Sequence, residues 1–255
     1  MKKLLFLLSA SLLFFASCSS GDSNSSNNLV LLRRTVQTNV SDGIARTTIF
    51  SYDVDKIISE VTDNQYKTIY TYTGNQITKQ EYFEYANLIY TKIYTYNGNK
   101  LVSFFKTELN ILNGERRDYS YNTDGTVSYN LFIVDNVTKI ETKTETGKIF
   151  FLNGNVVKEE IDNYSGFLNR ITFEYDNKYS PFKNVIGLSL LIENFALVSN
   201  NNAINESEFW QTNGGSYGGT YNYIFNYNSN AYPIEKTKTY ALGGQSVSTI
   251  KYFYE

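Results

Sequence analysis

The residues best suited to hold a ligand fall close together late in the chain: Trp210, Tyr217, Tyr221 and Tyr223, set around the glycine-rich stretch Asn213-Gly214-Gly215-Ser216-Tyr217-Gly218-Gly219. Aromatic faces offer large contact area at low entropic cost, and they stack on sugar rings or apolar side chains. These four are the candidate ligand-binding residues. The glycine stretch is no phosphate cradle, because it lacks the Lys-Ser/Thr of a P-loop and the strand-to-helix setting of a dinucleotide fingerprint. Catalysis has less to work with. The chain contains no histidine, which removes Ser-His-Asp and Cys-His hydrolysis and histidine-ligated metals together. A glycosidase needs two acids across a cleft, for which Asp53, Glu159, Glu160, Asp176, Glu206 and Glu208 could be nominated. Solvated charge on a strand face is the simpler account of each. Turns such as Asn122-Thr123-Asp124-Gly125 lack the ligand density of a calcium loop. The expectation is a binding protein and not an enzyme, with no catalytic residue, metal ligand or cofactor.

The elements that must position these side chains announce themselves in one recurring phrase. Tyr94-Thr95-Tyr96-Asn97-Gly98-Asn99-Lys100-Leu101 is nearly repeated at Tyr70 to Ile77, and Phe150 to Val157 keeps its pattern. Asn-Gly favours a two-residue type I′ hairpin turn, since both turn positions need positive φ. With Asn97-Gly98 as that turn, Tyr94 is expected opposite Leu101 and Tyr96 opposite Asn99, all on one face. Further copies centre on Phe50-Ser51-Tyr52-Asp53, Tyr119-Ser120-Tyr121, Phe173-Glu174-Tyr175-Asp176, Phe225-Asn226-Tyr227 and Tyr252-Phe253-Tyr254. Their spacing runs from about 20 to 31 residues, with one gap of about 52 between Tyr175 and Tyr227.

With 23 Tyr, 17 Phe and only 2 Pro in 255 residues, the composition argues for an all-β chain. The expected fold is an antiparallel meander of repeated hairpins, roughly fourteen strands, forming a curled or rolled sheet because open twisted sheets beyond about ten strands do not stay flat. A closed barrel is the opposing possibility. One insertion is expected at about 177–220, where the dense apolar run Val185 to Val198 reads as a short helical or irregular plug over exposed apolar face. Aromatics on the repeat, such as Tyr70, Tyr72, Tyr94 and Tyr96, are expected to fill the interior. Trp210, Tyr217, Tyr221 and Tyr223 lie outside that register.

The start of the chain reads as an export signal over 1–17: Lys2-Lys3, an apolar run from Leu4 to Phe15 too short for a bilayer span of about 20 residues, then Ala16-Ser17-Cys18. Residues 18–28 are Ser, Asn and Gly apart from Cys18 and Asp22, a flexible tether reaching roughly 18 Å. The remaining 29–255 form the repeat domain. A net charge of −2 with both signs interspersed gives no field for nucleic acid. Cys18 is the only cysteine, so no disulfide can form within the chain.

Ala16-Ser17-Cys18 resembles a bacterial lipoprotein signal, which implies acylation of Cys18 and attachment to the outer membrane, facing the periplasm or the medium. The repeats resemble the tyrosine-aspartate repeats of Rhs-type proteins. They are more similar to repeat-bearing lipoproteins of unknown function from the Bacteroidetes group, on Tyr52-Asp53, Tyr175-Asp176 and the stretch Tyr175-Asp176-Asn177-Lys178-Tyr179-Ser180-Pro181-Phe182. The reading is therefore a lipid-anchored envelope module that binds glycan or protein; the alternatives are a structural or assembly component of the envelope and a carboxylate hydrolase. Three acyl chains on Cys18 exceed what stable attachment requires. Cys18→Ser is expected to abolish labelling by a fatty-acid probe and to release the protein from the membrane fraction, both read on fractionated cells.

Overall fold

A computed structural model of the chain describes residues 29–163, 167–212 and 214–255; the signal, the tether and Cys18 lie outside them. Sixteen strands follow one another among the described residues. The first eight are β1 (Leu32–Asn39), β2 (Ala45–Asp53), β3 (Lys56–Thr62), β4 (Tyr66–Thr73), β5 (Gln76–Glu84), β6 (Asn87–Asn97), β7 (Lys100–Glu108) and β8 (Asn113–Tyr121). The second eight are β9 (Val127–Asp135), β10 (Glu141–Leu152), β11 (Asn155–Asn163), β12 (Phe167–Tyr175), β13 (Ala203–Thr212), β14 (Gly215–Tyr227), β15 (Pro233–Tyr240) and β16 (Ser246–Tyr254). Each pairs antiparallel with its neighbours in sequence, and β1 pairs with β16 through Leu32–Tyr254 to Asn39–Ser248. The sheet is a closed barrel. This corrects the curled open sheet of about fourteen strands: closure removes both edges, which an open sheet would leave as unpaired backbone groups.

The hairpin turns follow two chemistries. Asn153 and Gly154 both have positive φ, 53° and 77°, as a type I′ turn requires. At the Tyr96 unit the strand ends pair as Asn97–Lys100, so the turn is Gly98-Asn99 and not Asn97-Gly98. There Gly98 takes φ 56° while Asn99 is not among the positive-φ residues, the pattern of a glycine-first II′ turn. The register moves accordingly. Tyr96 lies opposite Leu101 and Tyr94 opposite Phe104; the unpaired Val102 bulges out of β7, so that Leu101 and Phe104, three residues apart, both face in beside the two tyrosines.

That bulge recurs at Tyr52, Tyr72 and Phe151 and marks where the strands of adjacent hairpins part. The β5–β6 ladder ends at Lys79–Ile93, short of Ile77 and Tyr96, and the β7–β8 ladder ends at Ser103–Asp118, short of Leu101 and Tyr121. In that gap the tyrosine hydroxyl replaces the backbone donor. Tyr52 donates to the Leu32 carbonyl at 2.7 Å, Tyr96 to Ile77 at 2.9 Å, and Tyr121 to Leu101 at 3.1 Å. Tyr175 donates to Val156 at 2.7 Å and Tyr254 to Pro233 at 2.8 Å. Each acceptor opens a strand just after a turn or at the chain's entry, and Leu32, Ile57, Ile77, Leu101 and Val156 are fully buried. Together they line one end of the barrel as a ring of aliphatic side chains.

The segment between β12 and β13 fills that ring. Its irregular part is residues 176–202, shorter than the insertion expected at 177–220, because β13 and β14 continue the meander through the rest. It contains a 3₁₀ turn, Leu188–Leu190, and a single α-helical turn, Phe195–Val198. Val185, Leu188, Leu191, Ile192 and Val198 join the aliphatic ring in one core. Backbone bonds from Ile186 to Asp55 and from Asn200 to Gly154 seat the plug against turns on opposite parts of the rim. Gly187, at φ 86°, crosses so close to Tyr72 and the Asn75 carbonyl that a Cβ would lie 3.0 Å from each.

Removing one hydroxyl from the tyrosine set isolates its worth. Tyr96→Phe keeps the ring but strands the buried Ile77 carbonyl, and is expected to lower unfolding free energy by about 1–3 kcal/mol. Tyr85→Phe, at an exposed turn of the other end, is expected to change little; chemical denaturation of both variants provides the measurement.

Candidate functional site

Strand alternation assigns every side chain to the wall's outside or its inside. The outside carries Thr71, Thr91, Thr107 and Thr237 together with charged pairs: Lys79 with Glu81 at 2.9 Å, Arg116 with Asp118 at 3.1 Å, and Glu160 between Lys158 and Arg170 at 3.1 Å from each. Outward apolar residues such as Ile49, Ile93 and Ile224 are interspersed with these.

The inside changes character along the barrel axis. At the plugged end it is aliphatic. Beyond the plug it becomes a layer of tyrosines and buried charges: Tyr70 donates to Glu60 at 2.6 Å, Tyr94 to Gln80 at 2.8 Å, and Tyr129 to Glu159 at 2.8 Å. Arg117 lies over the rings of Tyr129 and Phe104, 4.3 and 5.8 Å from their centroids. Gly147 opposes Tyr129, and a Cβ there would collide with the ring at 2.1 Å, so glycine is what admits that tyrosine. Burial pushes the carboxyls of Glu60 and Glu159 up, opposed by the tyrosine hydrogen bonds and, at Glu159, by Arg117.

Two cavities among the described residues lie beside the plug. One of about 380 Å³ lies toward β2–β6 and is lined by Glu60, Tyr70, Lys92, Tyr94 and Glu193. The other, of about 310 Å³, lies toward β12–β16 and β1; Phe50, Phe173, Phe195, Phe225, Tyr252 and Lys236 give it its character.

The four aromatic residues singled out in the sequence belong to regular strands, Trp210 on β13 and the others on β14, and their register turns all of them inward. Trp210 and Tyr217 pair across the strands with rings 6.2 Å apart and nearly parallel, near the unplugged rim. Tyr221 packs against Tyr240 and carries Lys238 3.6 Å above its ring. Tyr223 donates to Glu206 and reaches the smaller cavity. The four thus form a continuous inner stripe from rim to cavity.

The nominated acids do not converge as a group. Glu159 faces in and Glu160 out; Asp176 holds the plug base with Asn202 and Tyr227; Asp53 ends β2 at a turn. Glu206 and Glu208 share the inner face of β13, where Glu206 accepts from Tyr223 and Glu208 accepts from Trp210 Nε1 at 3.4 Å. Sequence reasoning passed over Lys236 and Tyr252. The alternation Glu235-Lys236-Thr237-Lys238 was its one available signal, since it places both lysines on a single face of a strand.

No family model and no curated protein matches the chain. Solved structures do share the fold. A porin-like protein from Bacteroides vulgatus ATCC 8482 is 15% identical with a TM-score of 0.55, over 89% of this chain and 99% of that one. A porin-like protein from Bacteroides uniformis ATCC 8492 is 11% identical with a TM-score of 0.54, over 88% and 98%.

Glu60 yields a test of the charged inner layer. Its folded pKa lies above the unfolded value, so its contribution to stability is full below the unfolded pKa and is lost as pH rises through the folded one. Glu60→Gln keeps an acceptor for Tyr70 without the charge. Thermal melts are expected to show the variant more stable than the parent at pH 7, by about 2–4 °C per kcal/mol relieved, with the difference shrinking toward pH 4.

Proposed function

We propose that this chain is a lipid-anchored outer-membrane protein whose barrel stands in water beside the bilayer and binds a small ligand in its lumen, without catalysis. The observation that carries this reading is the distribution of polarity across the wall. A barrel that crosses a membrane presents an apolar band about 25 Å tall, and a Lys or Arg facing lipid at the midplane costs about 2–4 kcal/mol. Here Lys79, Lys158 and Arg170 stand in mid-strand on the outside, and outward phenylalanines such as Phe132 and Phe150 are overlain by Arg116 and Lys158. Sixteen-stranded porins leave an aqueous channel; this lumen is closed at one end by residues 176–202.

The chain enters the barrel at the plugged end, where Leu31 exchanges two backbone bonds with Glu255 and Asn184 holds the Val30 carbonyl. A tether from Cys18 would hold that end toward the bilayer and leave the rim with Trp210 and Tyr217 facing away. An enclosed lumen suits the end of a glycan or a molecule of similar size better than a folded protein. Parallel aromatic rings at the rim suit a sugar face.

Trp210 is the only tryptophan, so its emission reports the lumen alone. The Cys18→Ser chain is expected to fold in detergent-free buffer and to give no conductance steps in planar bilayers. Titration with envelope oligosaccharides or small amphiphiles is expected to shift Trp210 emission saturably. A need for detergent, stepwise conductance, or emission indifferent to every ligand that binds would overturn the reading.

A further inference from the structure

The smaller cavity has a chemical polarity of its own. Its walls toward the plug are phenylalanines: Phe173 from β12, Phe195 from the plug and Phe225 from β14, with Phe50 beyond. Most polar groups on its lining are committed within the protein. Ser199 donates to the Tyr175 hydroxyl at 3.0 Å, Asn202 bonds Asp176 and the Tyr179 carbonyl, and Tyr223 donates to Glu206.

Three lining groups are different. The Lys236 ammonium, the Tyr252 hydroxyl and the Thr35 hydroxyl form no hydrogen bond or ion pair among the described residues. They are also neighbours. Lys236 pairs with Ile250 across β15–β16, Tyr252 lies two residues further along the same face, and Thr35 pairs directly with Tyr252 across β1–β16. Diagonal neighbours of this kind lie within reach of one another's long side chains. The Lys236 ammonium lies 5.1 Å from the Tyr223 ring and feels the attraction of the Glu206 carboxylate on the same lining, without forming an ion pair with it. Lys236 is half-buried, and desolvation lowers its pKa, with Lys238 adding to the effect and Glu206 opposing it.

Resting on the lumen reading above, we propose that this cavity binds a small amphiphilic carboxylate, its head held by Lys236, Tyr252 and Thr35 and its hydrocarbon body lodged among Phe173, Phe195 and Phe225. The charge must be single. Among the described lining residues Lys236 is the one cation, and Glu206, two strands away on β13, would disfavour a dianion such as phosphate more than a single negative charge. The body must be apolar, because phenylalanine walls offer nothing to a ring of hydroxyls. A volume of about 310 Å³ lies at the small end of ligand pockets, which excludes a two-chain lipid.

Calorimetric titration of the Cys18→Ser chain with decanoate and with decanol tests this. Decanoate is expected to bind with one site per chain and at least tenfold more tightly than decanol. Lys236→Met is expected to erase that preference while melting no lower than the parent, Lys236→Arg to retain it, and Tyr252→Phe to weaken decanoate several-fold. Equal binding of acid and alcohol, many sites per chain, or full decanoate affinity in Lys236→Met overturns the proposal. Failure of decanoate alongside a saturable Trp210 response to an oligosaccharide overturns the carboxylate and leaves the lumen reading standing.

Discussion

The hydrogen bond from a tyrosine hydroxyl to the carbonyl of an aliphatic residue 19 to 21 positions earlier is the interaction on which this architecture rests. It occurs where the backbone ladder between paired strands has already ended, so it satisfies acceptors that the parted strands leave behind. Because it carries an aromatic ring with it, it also fills the space that parting opens. At Tyr52, Tyr72 and Tyr96 an extra residue bulges out of the strand after the turn, and the aliphatic residue opposite the ring thereby turns inward with it. One local device, repeated, therefore produces a widened rim, a satisfied backbone and an apolar lining. Tyr72 shows the device adapted, its hydroxyl reaching the Ile186 carbonyl of the plug at 3.0 Å.

A lining of that kind at the end of a wide barrel cannot face water, and residues 176–202 follow from it. The plug contributes few turns of regular structure and many aliphatic side chains. Its backbone is satisfied by rim turns and by asparagines, with Asn155 and Asn201 bonded to each other and Asn200 to the Gly154 carbonyl. Above the plug the same inner face becomes polar. There tyrosines serve as donors to buried carboxylates, so that Glu60 and Glu159 are held in the interior by neutral partners more than by opposite charge.

Much of this was legible in the sequence because the phrase is local. Hairpins, strand content, the inward role of Tyr70 and Tyr94, and the covering role of the Val185 to Val198 run all depend on neighbours within one unit or on composition. Closure does not. It rests on β1 meeting β16, a pairing of segments more than two hundred residues apart, which no single unit encodes. The register at Tyr96 was misplaced because Asn-Gly and Gly-Asn overlap in one phrase, and both dipeptides make two-residue turns. Trp210 and its tyrosine companions were recognised as a group, but their strands and shared inner face depend on the plug being shorter than the gap between repeats. Lys236 and Tyr252 meet diagonally within the β15–β16 hairpin, but Thr35 reaches Tyr252 only across the β1–β16 seam that closes the sheet.

The seam between β1 and β16 also governs how such a barrel comes into being. Fifteen of the sixteen strand pairings join neighbours in sequence and can form as the chain emerges, yet the sheet keeps two raw edges until its last strand reaches its first. Loop closure over that length is slow relative to hairpin formation. The plug shortens the search. Asn184 takes hold of the Val30 carbonyl beside β1 and of the Tyr232 hydroxyl beside β15, so once residues 176–202 have settled, the early and late parts of the chain are already gathered at one rim. The segment that blocks the finished lumen thus doubles as an assembly jig, orienting the two edges that must find each other.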